Sequence, residues 1–414
     1  MPREKSIPER FDAYVQKVGG RLYKPCRRFL REALFGLVEK RSVLLSQIGR
    51  ALKEPSRLIH TEKRLSRNLG NERYDDAAVE QDYLQLVAPI LRDERYPRPT
   101  IAVDLTDIAK SRARKMPYLA RVLDGSTKEL ANGYEVISLE AVGVRGRRLP
   151  LLSRLFSTES PEYKSQNATV FDAIATVRNH VPDDAFWAFD SGFDGGIFFR
   201  KMEEMGVDFA VRLRLEGNSR TLFTPEGKTN VKGLVESTPR LYFHRPRGTK
   251  KKRNWLLQVG WVSNVHLQQE HPSSNKQTGR PSAKSYSLVT VSGDALGQEP
   301  LAILTTLEVK TADDARRVAN IYLDRWGVEE ANRFTKQGFD LEDVRALTWT
   351  GLKRMVQLTH LAYGFLALLV HGPRKQVERI AANFKAFGPV PVYMYYRLLE
   401  GIGELLRATM DSGP

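Results

Sequence analysis

Cysteine is nearly missing from this 414-residue chain: Cys26 stands alone, so neither an intramolecular disulfide framework nor a Cys-rich zinc module can form. A lone thiol suits a reducing cytoplasm, and any metal must sit on carboxylates or histidines. Long apolar runs are missing too. No uninterrupted stretch reaches the ~18–20 residues of a membrane span, and no apolar leader core follows the charged opening MPREKSIPER. Membrane insertion and secretion are therefore not expected. The stretch 355–370, interrupted by Gln357, Thr359 and His360, reads as a buried helix, and no internal repeat is visible. Acidic residues are in deficit: Asp+Glu 49 against Lys+Arg 65 leaves a net charge of +16, an excess that suits a polyanionic partner. With 41% apolar residues the chain can bury at least one large core, and its length suggests two or three structural units.

The positive charge is concentrated at one end. Residues 1–70 hold 17 Lys/Arg and 7 Asp/Glu, and their apolar positions recur at three- and four-residue spacings, as in helices. A helix over 42–52, a break at Glu54, Pro55 and Ser56, and a second helix over 57–69 would make a helix-turn-helix. His60, Lys63, Arg64 and Arg67 then share a face able to meet phosphates or base edges. A basic bundle with a solvated charged face fits the same pattern. A second cluster, 245–253, includes Lys250, Lys251, Lys252 and Arg253 between two β-like runs, one beginning at Trp255. It reads either as a hairpin tip that binds DNA by phosphate contact and stacking, or as a solvated turn. Residues 271–282, polar and rich in breakers, read as a loop.

Between these lies a mixed pattern. Two short apolar runs, 100–103 and 185–189, stop at Asp104 and Asp190. Carboxylates at such strand ends can hold a divalent cation, although Asp also opens turns, and Asp107 and Asp194 are nearby competitors. A single helix is expected over 312–336. On it Tyr322, Arg325, Glu329 and Lys336 fall within about 60° of one face at about 100° per residue, while Glu330 points away. A Tyr, an Arg, a Glu and a Lys on one stripe suit phosphate and metal better than they suit a core.

That spacing resembles the Y-R-E-K signature of the DDE transposases of bacterial insertion sequences. Asp104, Leu105 and Thr106 resemble the first motif of that family, and Asp190, Ser191, Gly192 and Phe193 its second. The resemblance covers roughly 100–213 and 305–345. It implies an α/β fold with a ribonuclease-H-like mixed-sheet core, a β-rich insertion, and helical regions at both ends. The corresponding division is 1–98 basic helical DNA-binding region, 99–214 first part of the core, 215–307 insertion, 308–345 catalytic helix, and 346–414 C-terminal helices. The core from about Pro99 is expected to fold without the N-terminal segment.

The resemblance further implies Asp104, Asp190 and Glu329 as catalytic metal ligands for two Mg²⁺ ions, with Mn²⁺ able to substitute. Tyr322, Arg325 and Lys336 become the phosphate-binding residues. Trp255 or Trp261 becomes a candidate for stacking on a displaced base, core tryptophan being the other reading of each. The implied partners are double-stranded DNA, as terminal repeats and as target, and a second copy of the chain in the DNA complex, in a nucleoid-associated bacterial setting. A DNA-binding protein that keeps the fold without the chemistry, and a structure-selective nuclease, are the alternatives.

Overall fold

The computed structural model describes residues 6–94, 97–144, 147–216, 220–245, 255–270, 277–372, 377, 380 and 393–410. The chain divides into two compact units, one of Met1–Pro97, Leu105–Val181 and Val328–Pro414, the other of Arg98–Asp104 and Pro182–Gly327. The described strands are, in chain order, β1 (Thr100–Ala109), β2 (Ala120–Leu123), β3 (Leu130–Val144), β4 (Arg147–Phe156), β5 (Phe186–Phe189), β6 (Asp208–Leu213), β7 (Thr221–Thr224), β8 (Gly227–Asn230), β9 (Leu241–Arg245), β10 (Trp255–Glu270), β11 (Gln277–Ser292) and β12 (Leu301–Thr305).

In the second unit the start of β1 pairs in parallel with β5, and β5 in parallel with β6. The residues of β5 are all buried, as strands covered on both faces require, which is why they read as a continuous apolar run. Antiparallel strands then extend the sheet in the order β6–β12–β11–β10–β7–β8, with β9 on β10. The pairing order β4–β3–β1–β5–β6, with β1, β5 and β6 parallel, is that of the ribonuclease-H-like core expected from the sequence. The fold is mixed α/β. Strand β11 begins at Gln277, earlier than the loop expected over 271–282 allows; β10 absorbs Pro281 by shifting register between His266 and Gln268.

The expected single helix over 312–336 is two helices, Ala312–Asp324 and Gly327–Gly338. The amides of Arg325 and Trp326 bond three residues back, to Tyr322 and Leu323, so the four-residue ladder closes there. Gly327, a poor helix former, follows. The angular argument for a common face therefore holds within each piece but not across the break. The first helix is capped reciprocally by Thr311 and Asp314. It buries Val318, Ala319 and Tyr322 against Val259, Val289 and Ile303 of the sheet.

The first unit is built on the helix Trp349–Val370, apolar nearly all round and buried accordingly. The N-terminal helices dock on this unit. Tyr14 donates to the Leu361 carbonyl at 2.7 Å, Tyr83 to that of Pro150 at 2.5 Å, and the Val43 amide to that of Phe339 at 3.0 Å. Arg354, 2% exposed, binds both oxygens of Asp76 and the carbonyls of Leu69 and Asn71, closing the end of the helix Leu58–Leu69. The expectation that the core folds without residues 1–70 is thus corrected: Phe11, Phe29 and Leu30 are part of this unit's interior, and removing them would expose it.

One buried acid sits in the same unit. Tyr363 donates to Glu140 at 2.6 Å, and Glu140 Oε2 has no hydrogen bond among the described residues. Burial pushes the Glu140 carboxyl up to about 7, with Arg148 and the Tyr363 bond opposing. His360 is pushed the other way, down to about 4, also by burial. A carboxyl whose folded-state pKa is raised contributes stability that is complete below its ordinary 4.5 and lost as pH rises through about 7. Glu140→Gln, neutral throughout, is therefore expected to melt close to the parent at pH ~5 but to be more stable by roughly 1–3 kcal/mol at pH ~8. Thermal melts of both proteins at the two pH values check this; a difference independent of pH would sink it.

Candidate active site

Four of the residues singled out from sequence meet within the second unit. The register Val103↔Phe189 sets Asp104 and Asp190 level, one residue beyond the last parallel pair; Asp190 follows the end of β5, whereas β1 runs on through Asp104 to Ala109 instead of stopping there as expected. Asp190 also turns the chain: its Oδ1 accepts from the Gly192 amide at 2.9 Å and caps the 3₁₀ turn Ser191–Phe193. The motif's glycine has a physical reason, because a Cβ there would lie 3.0 Å from that same oxygen. Its aromatic has one as well, since Phe193 packs on Phe189 and Phe198. Asp194 is structural: its oxygens bind the Arg220 guanidinium and the Arg214 amide.

Arg325, 4% exposed, points Nη1 at Asp104 Oδ1 at 3.4 Å and lies over the ring of Tyr322, 5.5 Å from its centroid. Tyr322 is fully buried. Burial raises its pKa, while Arg325 and Arg212 oppose that rise and Asp190 adds to it. The tyrosine expected to touch phosphate thus supports the guanidinium from below. Trp255 is partly buried, edge-on to Trp326 at 6.4 Å, and Trp261 packs on the same core, the second of the two readings given for each.

The donor set just beyond the β1–β5 pairing suits a hard divalent cation: two half-buried carboxylates, from Asp104 and Asp190, each with oxygens able to ligate. Among the described residues no group of three or more acidic, His or Cys side chains is drawn together as a metal cage.

The other two motif residues belong to the first unit. Glu329 is exposed on the helix Gly327–Gly338, and Glu330 pairs with Arg333 one turn on. Lys336 lies 3.2 Å from Asp107 Oδ1 and 3.2 Å from Glu342 Oε1. Asp107 is therefore the ammonium's partner, a pairing that sequence spacing did not reveal. Glu342 was missed as well, since nothing in the sequence links it to Lys336 across the turn at 339–341. Lys110 ties that turn down by donating to the Val344 carbonyl at 2.8 Å and to that of Glu342; burial lowers its pKa to about 8.

The two helices expected over 42–52 and 57–69 are Leu45–Ala51 and Leu58–Leu69. His60, Lys63 and Arg67 are exposed on the second helix, whereas Arg64 is engaged by Glu32 and Glu54. Strands β9 and β10 pair with Arg245 opposite Trp255, as a hairpin requires. Lys250, Lys251, Lys252 and Arg253 lie outside the described residues. No described helix is long and apolar enough to cross a membrane.

Comparison with known proteins gives three findings. No curated protein matches the chain. A solved structure, the piggyBac transposase synaptic complex with hairpin DNA seen by cryo-EM, resembles it at 10% identity with a TM-score of 0.44, over 99% of this chain and 80% of that one. The family described as transposase DDE domain matches residues 161–365, a span holding Asp190, Tyr322, Arg325, Glu329 and Lys336.

Proposed function

We propose that the protein is a metal-dependent DNA transposase that cuts DNA at the ends of its element and joins the freed ends to target DNA, acting as a homodimer on the DNA. The observation that carries this reading is the placement of Asp104 and Asp190 side by side where the parallel pairing of β1 with β5 ends, with Arg325 turned toward the first of them. Glu329, assigned by its spacing from Tyr322 and Arg325 in the motif, is the third carboxylate.

These carboxylates would hold two Mg²⁺ ions. Bound there, the ions supply a water that loses its proton near neutral pH and offset charge on the leaving oxygen. The chain's own residues do the rest. Arg325, lying over the Tyr322 ring, and Lys336 grip phosphate oxygens and fix the scissile phosphodiester for in-line attack. In cleavage the water oxygen bonds to phosphorus, and the 3′-oxygen leaves and takes up a proton. In joining, that 3′-hydroxyl attacks a target phosphodiester and displaces its 3′-oxygen, so the number of phosphodiester bonds is conserved.

Glu329→Gln is expected to lower Mg²⁺-dependent cleavage by roughly 10²-fold or more, with duplex binding nearly unchanged because no cation is removed. Glu330→Gln, which loosens only a surface pair with Arg333, should stay near the parent. Gel assays of plasmid nicking beside mobility shifts measure both; a dead Glu330 variant with an active Glu329 variant would reverse the assignment.

End recognition falls to the exposed face of Leu58–Leu69. Replacing Lys63 and Arg67 by Ala is expected to flatten the log–log salt dependence of DNA binding by ~0.9 for each phosphate that is no longer neutralised, with little change in melting temperature. Arg64→Ala should lower stability, since it removes the guanidinium that bridges Glu32 and Glu54 and leaves them to Arg28 and Thr61. An unchanged salt slope in the Lys63/Arg67 variant would move recognition elsewhere.

A further inference from the structure

The ammonium of Lys336 has two acidic partners of different character. Asp107 is 8% exposed, its Oδ1 is also held by the Gly125 amide at 3.2 Å, and its place in β1 gives it no room to swing. Glu342 is exposed, on the single 3₁₀ turn Leu341–Asp343. The backbone of that turn is pinned by Lys110, but the Glu342 side chain is free to leave Lys336 without disturbing it.

Charge makes the difference matter. One ammonium between two carboxylates carries a net −1, so a phosphate oxygen arriving at Lys336 would add a third negative group unless one acid withdraws. The buried acid cannot withdraw without leaving its hydrogen bonds; the exposed one can. An exposed ion pair contributes little, and a phosphate can displace it.

We propose that in the DNA-free protein Glu342 occupies the place of a DNA phosphate on Lys336, while Asp107 is the fixed positioning residue that aims the ammonium. This rests on the reading of Lys336 as a phosphate contact. It predicts substitutions of opposite sign on two acids that touch the same nitrogen. Glu342→Gln removes the competitor, so duplex DNA binds more tightly, by roughly 2–5-fold. Asp107→Asn keeps the shape and the bond from Gly125 but lets the ammonium wander. The cleavage rate at saturating DNA then falls, and the affinity changes less.

The test uses full-length protein, a fluorescein-labelled duplex for affinity, and Mg²⁺-dependent nicking of supercoiled plasmid for rate. Each acid is changed alone and in a Lys336→Ala background. Both effects are expected to vanish in that background, which a role in packing alone would not produce. Equal or weaker binding by Glu342→Gln while Lys336→Ala is impaired would overturn the inference and leave the phosphate role of Lys336 standing. If Lys336→Ala binds and cuts like the parent, that role and the inference fall together. Melting curves guard the Asp107 arm, and Glu342→Gln, on the surface, decides the matter even where Asp107→Asn does not fold.

Discussion

The parallel pairing of β1 with β5 is the constraint from which the rest of the candidate site follows. Four residues pair on each strand, all buried and all but Thr100 apolar, and they can only lie in a sheet covered on both sides. That pairing ends where both strands first meet polar surroundings. Both strands meet them at an aspartate. The carboxylates are thus brought level by the pairing of the residues before them, and neither needs a specific contact with the other. In open α/β sheets the carboxyl ends of parallel strands are where ligands gather; Asp190 stands at such an end, with Asp104 level with it in β1.

The sequence made this part of the molecule legible because the signal was local. Apolar runs of about four residues with an acid at the end and an Asp-x-Gly-Phe turn each act over a few residues; the second run and the turn have their counterparts in the structure, while the first is the opening of a strand that continues through Asp104 to Ala109. What was not legible depended on chain geometry or on distance. Extrapolating 100° per residue through Arg325 and Trp326 presumed an unbroken ladder, and periodicity cannot report a break that two tightened hydrogen bonds produce. The Lys336–Asp107 pair joins positions 229 residues apart, so spacing had nothing to say about it.

Basicity was informative in sum and misleading in detail. The excess over residues 1–70 is real, yet much of it is spoken for: Arg21 by Asp82, Arg28 by Glu32, Arg31 by Asp12, Arg64 by Glu32 and Glu54. Counting charges measures the long-range field that draws a polyanion in; it does not tell which cations remain to touch it. In the helix Leu58–Leu69 that choice is made by two acids in other segments, which take Arg64 and leave Lys63 and Arg67 outside. The same segments bury Phe29 and Leu30, so the basic region is part of the framework as well as its charged surface.

The electrostatics of Asp104 and Arg325 bear on whether the fold serves chemistry or only binding. An acid and a guanidinium taken out of water must regain their hydration from their surroundings, and such a pair is often no better for stability than apolar side chains of the same size. Here the approach is long, 3.4 Å from Nη1 to Oδ1. Compare Arg354 with Asp76, where bonds of 2.8 Å and 2.7 Å and the helix-end carbonyls satisfy the guanidinium. The second arrangement is the tighter of the two. On the function proposed above, a carboxylate held at that distance from a buried cation, where the parallel pairing of β1 with β5 ends, is able to exchange one positive partner for another.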